Sequence, residues 1–405
     1  MAQEIVEVEG HLIDSHILPG ILDTVMAHDG RFEVQQLDVG TTAGDPSFAR
    51  LLLAHRSSKR LESILQAVAR LGAEPVERRP VTLKPAPRDG VFPEGFYVTT
   101  NLATSVYLGG RWVRVKNPQM DSGITVSESR RSARTVKMGD VRKGDRIVVG
   151  RQGVHVTPAA RRRGPGEFGF MTSEVSTEKP KRVLVGNVAA MLEQERTAGR
   201  PVLWVCGPAL VHSGAGPLFE KLIASGYVQA LLSGNALAVH DIECALMGTS
   251  LGVSMREGAV TRAGHENHLR SINSIRRAGG IRQAVRKDVL KSGIMHACVT
   301  NGVDFVLAGS IRDDGPLPDV ITDAVRAQHA MRRRCRTVGL AVMLATLLHS
   351  VATGNMLPAS TRVVCVDIQP AAVTKLADRG TAQALGIVTD VQPFLQSLLL
   401  ELGIR

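Results

Sequence analysis

Residues 306–323 read VLAGSIRDDGPLPDVITD, and this stretch decides the fold. An apolar run through Leu307 breaks at Gly309-Ser310 into a loop that carries Asp313, Asp314 and Asp319 among Gly315, Pro316 and Pro318. A strand that ends at glycine, passes through a polar loop and leads into a helical pattern is one step of a β–α alternation. Carboxylates beside the end of a buried strand are costly to keep without partners, so these three are candidates to meet a cationic substrate or ribose hydroxyls. The plainer reading is that Asp319 caps a helix starting near Val320.

The alternation extends on both sides. Residues 202–205 and 228–232 are short apolar strands, followed by Cys206-Gly207-Pro208 and by Ser233-Gly234-Asn235-Ala236. Helical patterns cover 218–224, 240–247 and most of 267–301, and residues 305–307 are the strand that opens the acidic loop. Further on come a strand at 363–366 with Asp367, a helix over 371–378, and Ile387-Val388 with Thr389-Asp390. Such a rhythm predicts a mostly parallel sheet with helices on both faces, and in these sheets ligands bind outside the carboxyl ends of the strands. The loops at Gly207, 234–236, 310–314, Asp367 and 389–390 all fall at that end.

Upstream the patterns differ. Strands over 5–13, 32–39, 48–54 and 76–83 enclose two helices, one with Ile17, Ile21, Leu22, Val25 and Met26 on a stripe, the other opened by Ser57-Ser58. This βαββαβ order predicts a ferredoxin-like unit over residues 1–90. From 91 to 182 short β-prone runs (96–98, 106–108, 112–115, 124–126, 146–149, 154–156) alternate with glycine turns such as Gly109-Gly110, which predicts a small β-rich domain, barrel or sandwich. RRRGPG at 161–166 reads as an exposed loop, and residues 183–405 form the α/β domain. The fold class is therefore α/β, a mostly parallel Rossmann-like domain preceded by two smaller units.

Composition narrows the function. The 405 residues carry a net charge of +11, concentrated between Arg111 and Arg182, where 17 Lys/Arg face seven Asp/Glu. Aromatics are only 3%, which argues against stacked-base recognition, and no nucleic-acid-binding motif occurs, so a solvated basic surface is expected. The five cysteines are scattered with no CxxC pair, as expected of reduced thiols in a cytoplasmic protein. Residues 338–348, the longest apolar run, are too short to span a bilayer, and the N-terminal segment is acidic where a signal peptide would be basic.

Motifs for chemistry are incomplete. His212-Ser213-Gly214-Ala215-Gly216 supplies G-x-G, but Phe219 stands where a third glycine belongs, and no acid ends the following strand. Asp367 after VVCV is a strand-end carboxylate of the kind that pairs with ribose hydroxyls. His265 and His268 are not in HExxH spacing, and no metal is expected. Cys206 and Cys365 lie in or beside apolar strands, where core packing is expected rather than nucleophilic catalysis.

Longer motifs carry a resemblance. EGHLIDSHILPGILD, DPSFARL, FPEGFYVTTN and FMTSEVSTEKPK resemble the conserved region of lysine-ketoglutarate reductase/saccharopine dehydrogenase. LLSGNALAVHDIE, GHENHLRSIN, LAGSIRDDGPLPDVITD, ATLLHSVATGNMLP and VCVDIQPAAVTKLADRG are similar to archaeal-type ornithine cyclodeaminase, a module also forming the C-terminal half of cyanobacterial arginine dihydrolase/ornithine cyclodeaminase. More distantly, CGPALVHSGAG through SGNA looks like the NAD-binding fold of deoxyhypusine synthase.

The resemblance implies a bound NAD recycled within each turnover. L-ornithine is oxidised at its α-carbon to an imine, the δ-amine attacks and ammonia leaves, and the cyclic imine takes the hydride back to give L-proline. It implies that Gly234, Asn235 and Ala236 lie along NAD, that Asp314 meets the nicotinamide ribose and that Asp319 meets the substrate ammonium. Leu348, His349 and Ser350 would approach the pyrophosphate or ribose, and Asp367, Thr389 and Asp390 the adenosine side. Asn355 is a further candidate in the catalytic set. A homo-oligomer, dimer or tetramer, is expected, with no membrane or nucleic-acid partner. Rival readings are an aminobutyl transferase, which needs a lysine where only Lys375 follows Lys291, an opine- or saccharopine-type dehydrogenase, and a non-catalytic NAD- or amino-acid-sensing module.

Overall fold

Alternating apolar residues on the first and third strands organise the N-terminal sheet. The computed structural model describes residues 1–13, 16–41, 45–76, 79–157, 175–176, 181–255, 266–313, 315–377 and 384–405, so the 161–166 run, His265 and Asp314 lie outside the described residues. Two units separate: Met1–Thr172 with Pro358–Ser360, and Ser173–Leu357 with Thr361–Arg405. The first opens with β1 (Ala2–Gly10), α1 (Ile17–Ala27), β2 (Arg31–Asp38), β3 (Ser47–His55), α2 (Ser58–Val68) and β4 (Glu74–Pro75). Its sheet runs β2-β3-β1-β4 with every neighbour antiparallel, the ferredoxin-like order. Val6, Val8, Ala49, Leu51 and Leu53 bury one face against Leu18, Ile21, Val25, Leu61, Ile64 and Val68 of the helices. Ser57 caps α2 by accepting from the Arg60 amide.

The strand expected over 76–83 is divided. β4 pairs with Val6 and Glu7 of β1, whereas β5 (Thr82–Pro85) joins a second sheet beside β10. Pro75 and Pro80 remove two ladder donors between them, so a single continuous strand is not available. The second sheet adds β6 (Ala103–Leu108), β7 (Arg111–Lys116), β8 (Gly123–Val126), β9 (Ala133–Val136), β10 (Arg146–Val149) and β11 (Val154–Thr157), in the order β11-β6-β7-β9-β8-β10-β5. Gly109 and Gly110 both have positive φ (55° and 81°), which gives the tight turn between β6 and β7. The Val81 amide, just before β5, donates to the Tyr107 carbonyl of β6 at 3.1 Å, beside a core of Val106, Val115, Ile124 and Val148. Residues 96–98 contribute only one bridge, Phe96 to Val149.

The second unit begins with β12 (Val175–Ser176), α3 (Lys181–Thr197), β13 (Val202–Cys206), α4 (Ala209–His212), α5 (Gly216–Ala224) and β14 (Ala230–Gly234). Next come α6 (Asn235–Met247), the hairpin β15 (Thr249–Ser250) and β16 (Val253–Ser254), α7 (Asn267–Ala278), α8 (Ile281–Arg286) and α9 (Ile294–Thr300). It closes with β17 (Asp304–Ala308), β18 (Val320–Ile321), α10 (Ala324–Cys335), β19 (Leu340–Leu344), α11 (Leu347–Gly354), β20 (Arg362–Asp367), α12 (Pro370–Ala377), β21 (Ala384–Val388) and α13 (Val391–Glu401).

All eight strands of the main sheet are parallel, in the order β12-β21-β20-β19-β13-β14-β17-β18. β13, β14 and β19 are buried at every residue, as continuous apolar runs in a two-sided sheet must be. Successive residues serve opposite cores. Trp204, Leu231, Leu307, Val342 and Val364 pack under α3 to α9 and α13, while Leu203, Leu232, Val306, Ala341 and Cys365 pack under α10 to α12. α6 starts five residues earlier than the 240–247 pattern, because its first turns are apolar on several faces and show no single stripe.

Candidate functional site

β13 stands at the centre of the sheet. The chain moves outward through β14, β17 and β18, then returns to β19 on the other side of β13 and continues through β20 and β21. Loops that leave β13 and β19 in opposite directions open a crevice at the carboxyl edge. The two loops touch there: the Gly207 amide donates to the Leu344 carbonyl at 2.9 Å, and a Cβ on Gly207 would collide with the Ala345 carbonyl oxygen. Ala345 itself has φ 47°, a left-handed conformation uncommon for a residue with a side chain.

α11 starts just after Ala345 and brings His349 over the end of β14. A Cβ built on Gly234 would lie 2.8 Å from His349 Cε1, so the bare glycine is what lets the ring approach the strand end. Burial lowers the His349 pKa, which favours the neutral imidazole. Ser350 beside it is buried, Leu348 points outward and is exposed, and Asn355 forms the C-cap of α11. One turn beyond His349, the fully buried Thr353 hydroxyl has no hydrogen-bond partner among the described residues.

The acidic loop is pinned from several directions. Asn235, at the first position of α6, accepts the Leu317 amide on Oδ1 at 3.1 Å. Asp313 closes the loop on itself by accepting the Ser310 amide at 2.8 Å. Arg276 donates to the Pro316 carbonyl at 2.6 Å. Asp319 accepts the Ile281 amide on Oδ2 at 2.8 Å and so caps α8, not the helix that follows it. Residues Val320–Ile321 form β18 instead, and the next helix begins at Ala324 with Asp323 as its N-cap, accepting from Arg326. The expected local cap fails because pairing of Leu307 and Ala308 with Val320 and Ile321 holds that segment extended.

At the far side, Asp367 ends β20 almost fully buried, and its Oδ1 accepts the Gln369 amide at 2.8 Å. The Thr389 amide donates to the Asp367 carbonyl, which brings those two together, while Asp390 serves as N-cap of α13. Ala236 is exposed at the start of α6. Ile311, Leu347, Leu348 and Ile368 give the edge a lip of exposed apolar side chains. Thus Gly234 and His349 share one neighbourhood, as do Asp367 and Thr389, whereas Asn235, Asp319 and Asp390 each hold a neighbouring backbone amide.

Sequence reasoning missed two buried carboxylates on α6. Asp241 accepts the Ile294 and Met295 amides at the start of α9, and burial raises its pKa to about 7. Glu243, fully buried, accepts from Thr249 Oγ1 and from the Leu251 and Gly252 amides, and pairs with His240 at 3.1 Å. Burial alone would raise its pKa, but hydrogen bonds from His240, Gly252 and Thr249 outweigh it and the carboxyl titrates low. The one available signal was two acids within the otherwise apolar LAVHDIECALM. Among the described residues no group of three or more His, Cys, Asp or Glu is arranged to hold a metal ion. Cys206 and Cys365 are buried with raised pKa values, as core thiols are. Lys375 is exposed on α12.

A doubly wound parallel sheet with its crevice at the order reversal defines the class: a Rossmann-like, dinucleotide-type α/β domain. The donor set fits such a group, with a strand end at Gly234 free of a side chain, a neutral imidazole beside it, and a strand-end carboxylate at Asp367 having one oxygen already oriented. Residues 186–398 match the family described as "Arginine dihydrolase ArgZ-like, C-terminal, Rossmann fold", residues 103–185 match its first region, and residues 3–102 match the "LOR/SDH bifunctional enzyme conserved region".

The chain belongs to the ornithine cyclodeaminase family with an ArgZ-like C-terminal region. It is 50% identical over 401 residues, 99% of this chain and 97% of the relative, to a protein from Methanopyrus kandleri named ornithine cyclodeaminase. It is 41% identical to the "Bifunctional arginine dihydrolase/ornithine cyclodeaminase AgrE" of Nostoc sp., covering 98% of this chain and 58% of that longer one. Among solved structures, a conserved putative LOR/SDH protein from Methanococcus maripaludis is similar with 47% identity and TM-score 0.75 over 81% of this chain and 98% of that one. AgrE in a ternary complex with ornithine and NAD+ is similar with 39% identity and TM-score 0.54, over 99% of this chain and 57% of that one.

Proposed function

We propose that this chain is an NAD-dependent ornithine cyclodeaminase that converts L-ornithine to L-proline and ammonia, with no net consumption of reductant. The observation that carries the reading is the match, along nearly the whole of both chains, to relatives bearing that name. A relative solved with ornithine and NAD+ supports both the substrate and the cofactor.

The chemistry that bound NAD supplies is reversible hydride transfer at the substrate α-carbon. The protein must position that carbon, take a proton from the α-ammonium, meet the δ-ammonium and keep water from the imine. His349, neutral and next to Gly234, has a free-base imidazole for the proton. Asp319 is oriented through Oδ2 by Ile281, and its carboxylate is assigned to the substrate ammonium. Asp314 is assigned to the nicotinamide ribose, and Asp367 and Thr389 to the adenosine side. Gly234 to Ala236 and Leu348 to Ser350 are assigned to the cofactor between these ends. Asn355 is kept as a catalytic candidate and Asp390 as an adenosine contact through its helix N-terminus. The exposed apolar lip at Ile311, Leu348 and Ile368 suits planar rings and the exclusion of water.

The finer setting follows from the same reading: proline biosynthesis in the cytoplasm by a homo-oligomer. It is consistent with five unpaired cysteines and, among the described residues, no helix long and apolar enough to cross a membrane.

The test is purified protein with L-ornithine and NAD, following proline, ammonia and NADH together. Equal proline and ammonia without accumulating NADH is expected. Accumulating NADH would make it a dehydrogenase, and ligand binding with no product would make it a sensor. Asp314→Asn is expected to abolish turnover, and wild-type rates in that variant would remove Asp314 from the site.

A further inference from the structure

We propose that the outer edge of β2 is a homotypic docking surface on which a second copy of this chain adds its own β2 antiparallel, joining two four-stranded sheets into one. This goes beyond the expectation of an oligomer by naming the surface and register, and it is independent of the catalytic assignment.

β2 ends its sheet, and every residue of Arg31–Asp38 except Phe32 is exposed. An eight-residue edge of this kind presents unpaired backbone donors and acceptors and is a template for another strand. Besides the charged Arg31, Glu33 and Asp38 and a bulge, which guard an edge against indiscriminate pairing, the strand exposes apolar side chains. Val34 and Leu37 are 43% and 42% exposed although they share the helix-covered face with Phe32, and Met26, on the neighbouring α1, is 54% exposed. The apolar strip therefore continues past the limit of the single chain.

Charge pattern and a bulge select the occupant. β2 pairs with β3 through Arg31↔Ala54, Phe32↔Leu53, Glu33↔Leu52 and Val34↔Leu51, then shifts register so that Gln36↔Arg50, Leu37↔Ala49 and Asp38↔Phe48 follow. The extra residue, Gln35, reverses the parity of everything after it. Arg31, Glu33, Gln36 and Asp38 consequently share one face, and Phe32, Val34 and Leu37 the other.

In an antiparallel pair, residues directly opposite point to the same face. Two copies of RFEVQQLD related by a two-fold axis between Val34 and Gln35 satisfy this on both sides of the axis, where the bulge residue Gln35 falls opposite Val34 at the centre. Arg31 then faces Asp38 of the other copy, Phe32 faces Leu37, and Glu33 faces Gln36. Each of these three oppositions is compatible, the ion pair occurs twice, and no like charges meet. Within one chain Asp38 accepts a hydrogen bond from Gln36 at 2.6 Å, which holds its carboxylate on the face where Arg31 of the second copy would arrive. Without the bulge the same pairing would put Arg31 and Asp38 on opposite faces, so the irregularity makes the strand self-complementary.

Sedimentation of the full-length protein across a micromolar concentration series tests the proposal. Wild type is expected to be a dimer or a dimer-containing assembly. Arg31→Glu and Asp38→Arg should each weaken the β2-mediated step about tenfold or more, since each change acts twice across the axis. The double variant Arg31→Glu/Asp38→Arg should recover it. Val34→Lys/Leu37→Lys should abolish that step while far-ultraviolet circular dichroism stays that of wild type, and the wild-type thermal unfolding midpoint, unlike the variant's, should rise with protein concentration. A monomeric wild type, an assembly indifferent to Val34→Lys/Leu37→Lys, or failure of the double charge reversal to rescue would each overturn it.

Discussion

Gly234→Ala isolates the contact on which the proposed site turns. The backbone at Gly234, the N-cap of α6, is extended (φ −103°, ψ 173°), so alanine is conformationally acceptable, and beyond the small N-cap preference for glycine the change is felt through the added methyl. That methyl would lie 2.8 Å from His349 Cε1, roughly 0.7–1.2 Å inside ordinary carbon–carbon contact. The ring must shift by about that amount. Overpacking of this kind costs about 1–3 kcal/mol, offset by about 0.4–1 kcal/mol from the stiffer unfolded chain. A net loss of roughly 1–2 kcal/mol in unfolding free energy is therefore expected. If His349 works from its present position, a displacement near 1 Å lowers turnover by about 100-fold, far out of proportion to the stability loss. Proline release from ornithine and chemical denaturation measure the two effects. Repeating them in a His349→Ala background closes the cycle: the stability cost of the alanine should disappear there, while activity stays low in both variants. Wild-type turnover in Gly234→Ala, or an unchanged stability cost without the imidazole, would refute the contact.

Other outcomes follow from the same geometry. Asp319→Asn keeps an acceptor for the Ile281 amide, so α8 should remain capped and stability should change by less than about 1 kcal/mol. Its KM for ornithine should rise sharply, and an unchanged KM would leave Asp319 as a cap alone. His349, whose pKa burial lowers, should contribute an acid limb to kcat/KM below the ordinary histidine value of about 6.5, a limb absent from the residual activity of His349→Ala. Asp241 has a folded pKa near 7 against an ordinary 3.8. Its contribution is most favourable below the unfolded value and is lost as pH rises through about 7, on the order of 4 kcal/mol at most. Asp241→Asn should flatten that part of the stability–pH curve, as read by denaturant midpoints between pH 4 and 8.

Much of this architecture was legible in the sequence. Continuous apolar runs such as 202–205 are local properties, and they marked a two-sided parallel sheet because burial on both faces dictates the pattern. Glycine at the ends of β14 and β17 likewise marked where loops at the carboxyl edge begin. Long motifs carried the family and, with it, the cofactor and substrate. What a given acid does was not legible. Asp319 lies one residue before an apparent helix start, yet it caps α8, because ladder pairing of β17 with β18 keeps Val320 extended and brings the Ile281 amide to the carboxylate. Asp241 and Glu243 belong to no motif, and it is the packing of α6 against α9 and the β15–β16 hairpin that surrounds them with amides. The approach of His349 to Gly234 joins strands β14 and β19, which the chain visits far apart, across the intervening β13. Sequence by itself determined most of the elements and their order, though not the division of 76–83 between two sheets or the strand at Val320–Ile321. Only the tertiary structure decided which polar group meets which, because hydrogen bonds are short-ranged and depend on the packing of segments distant in the chain.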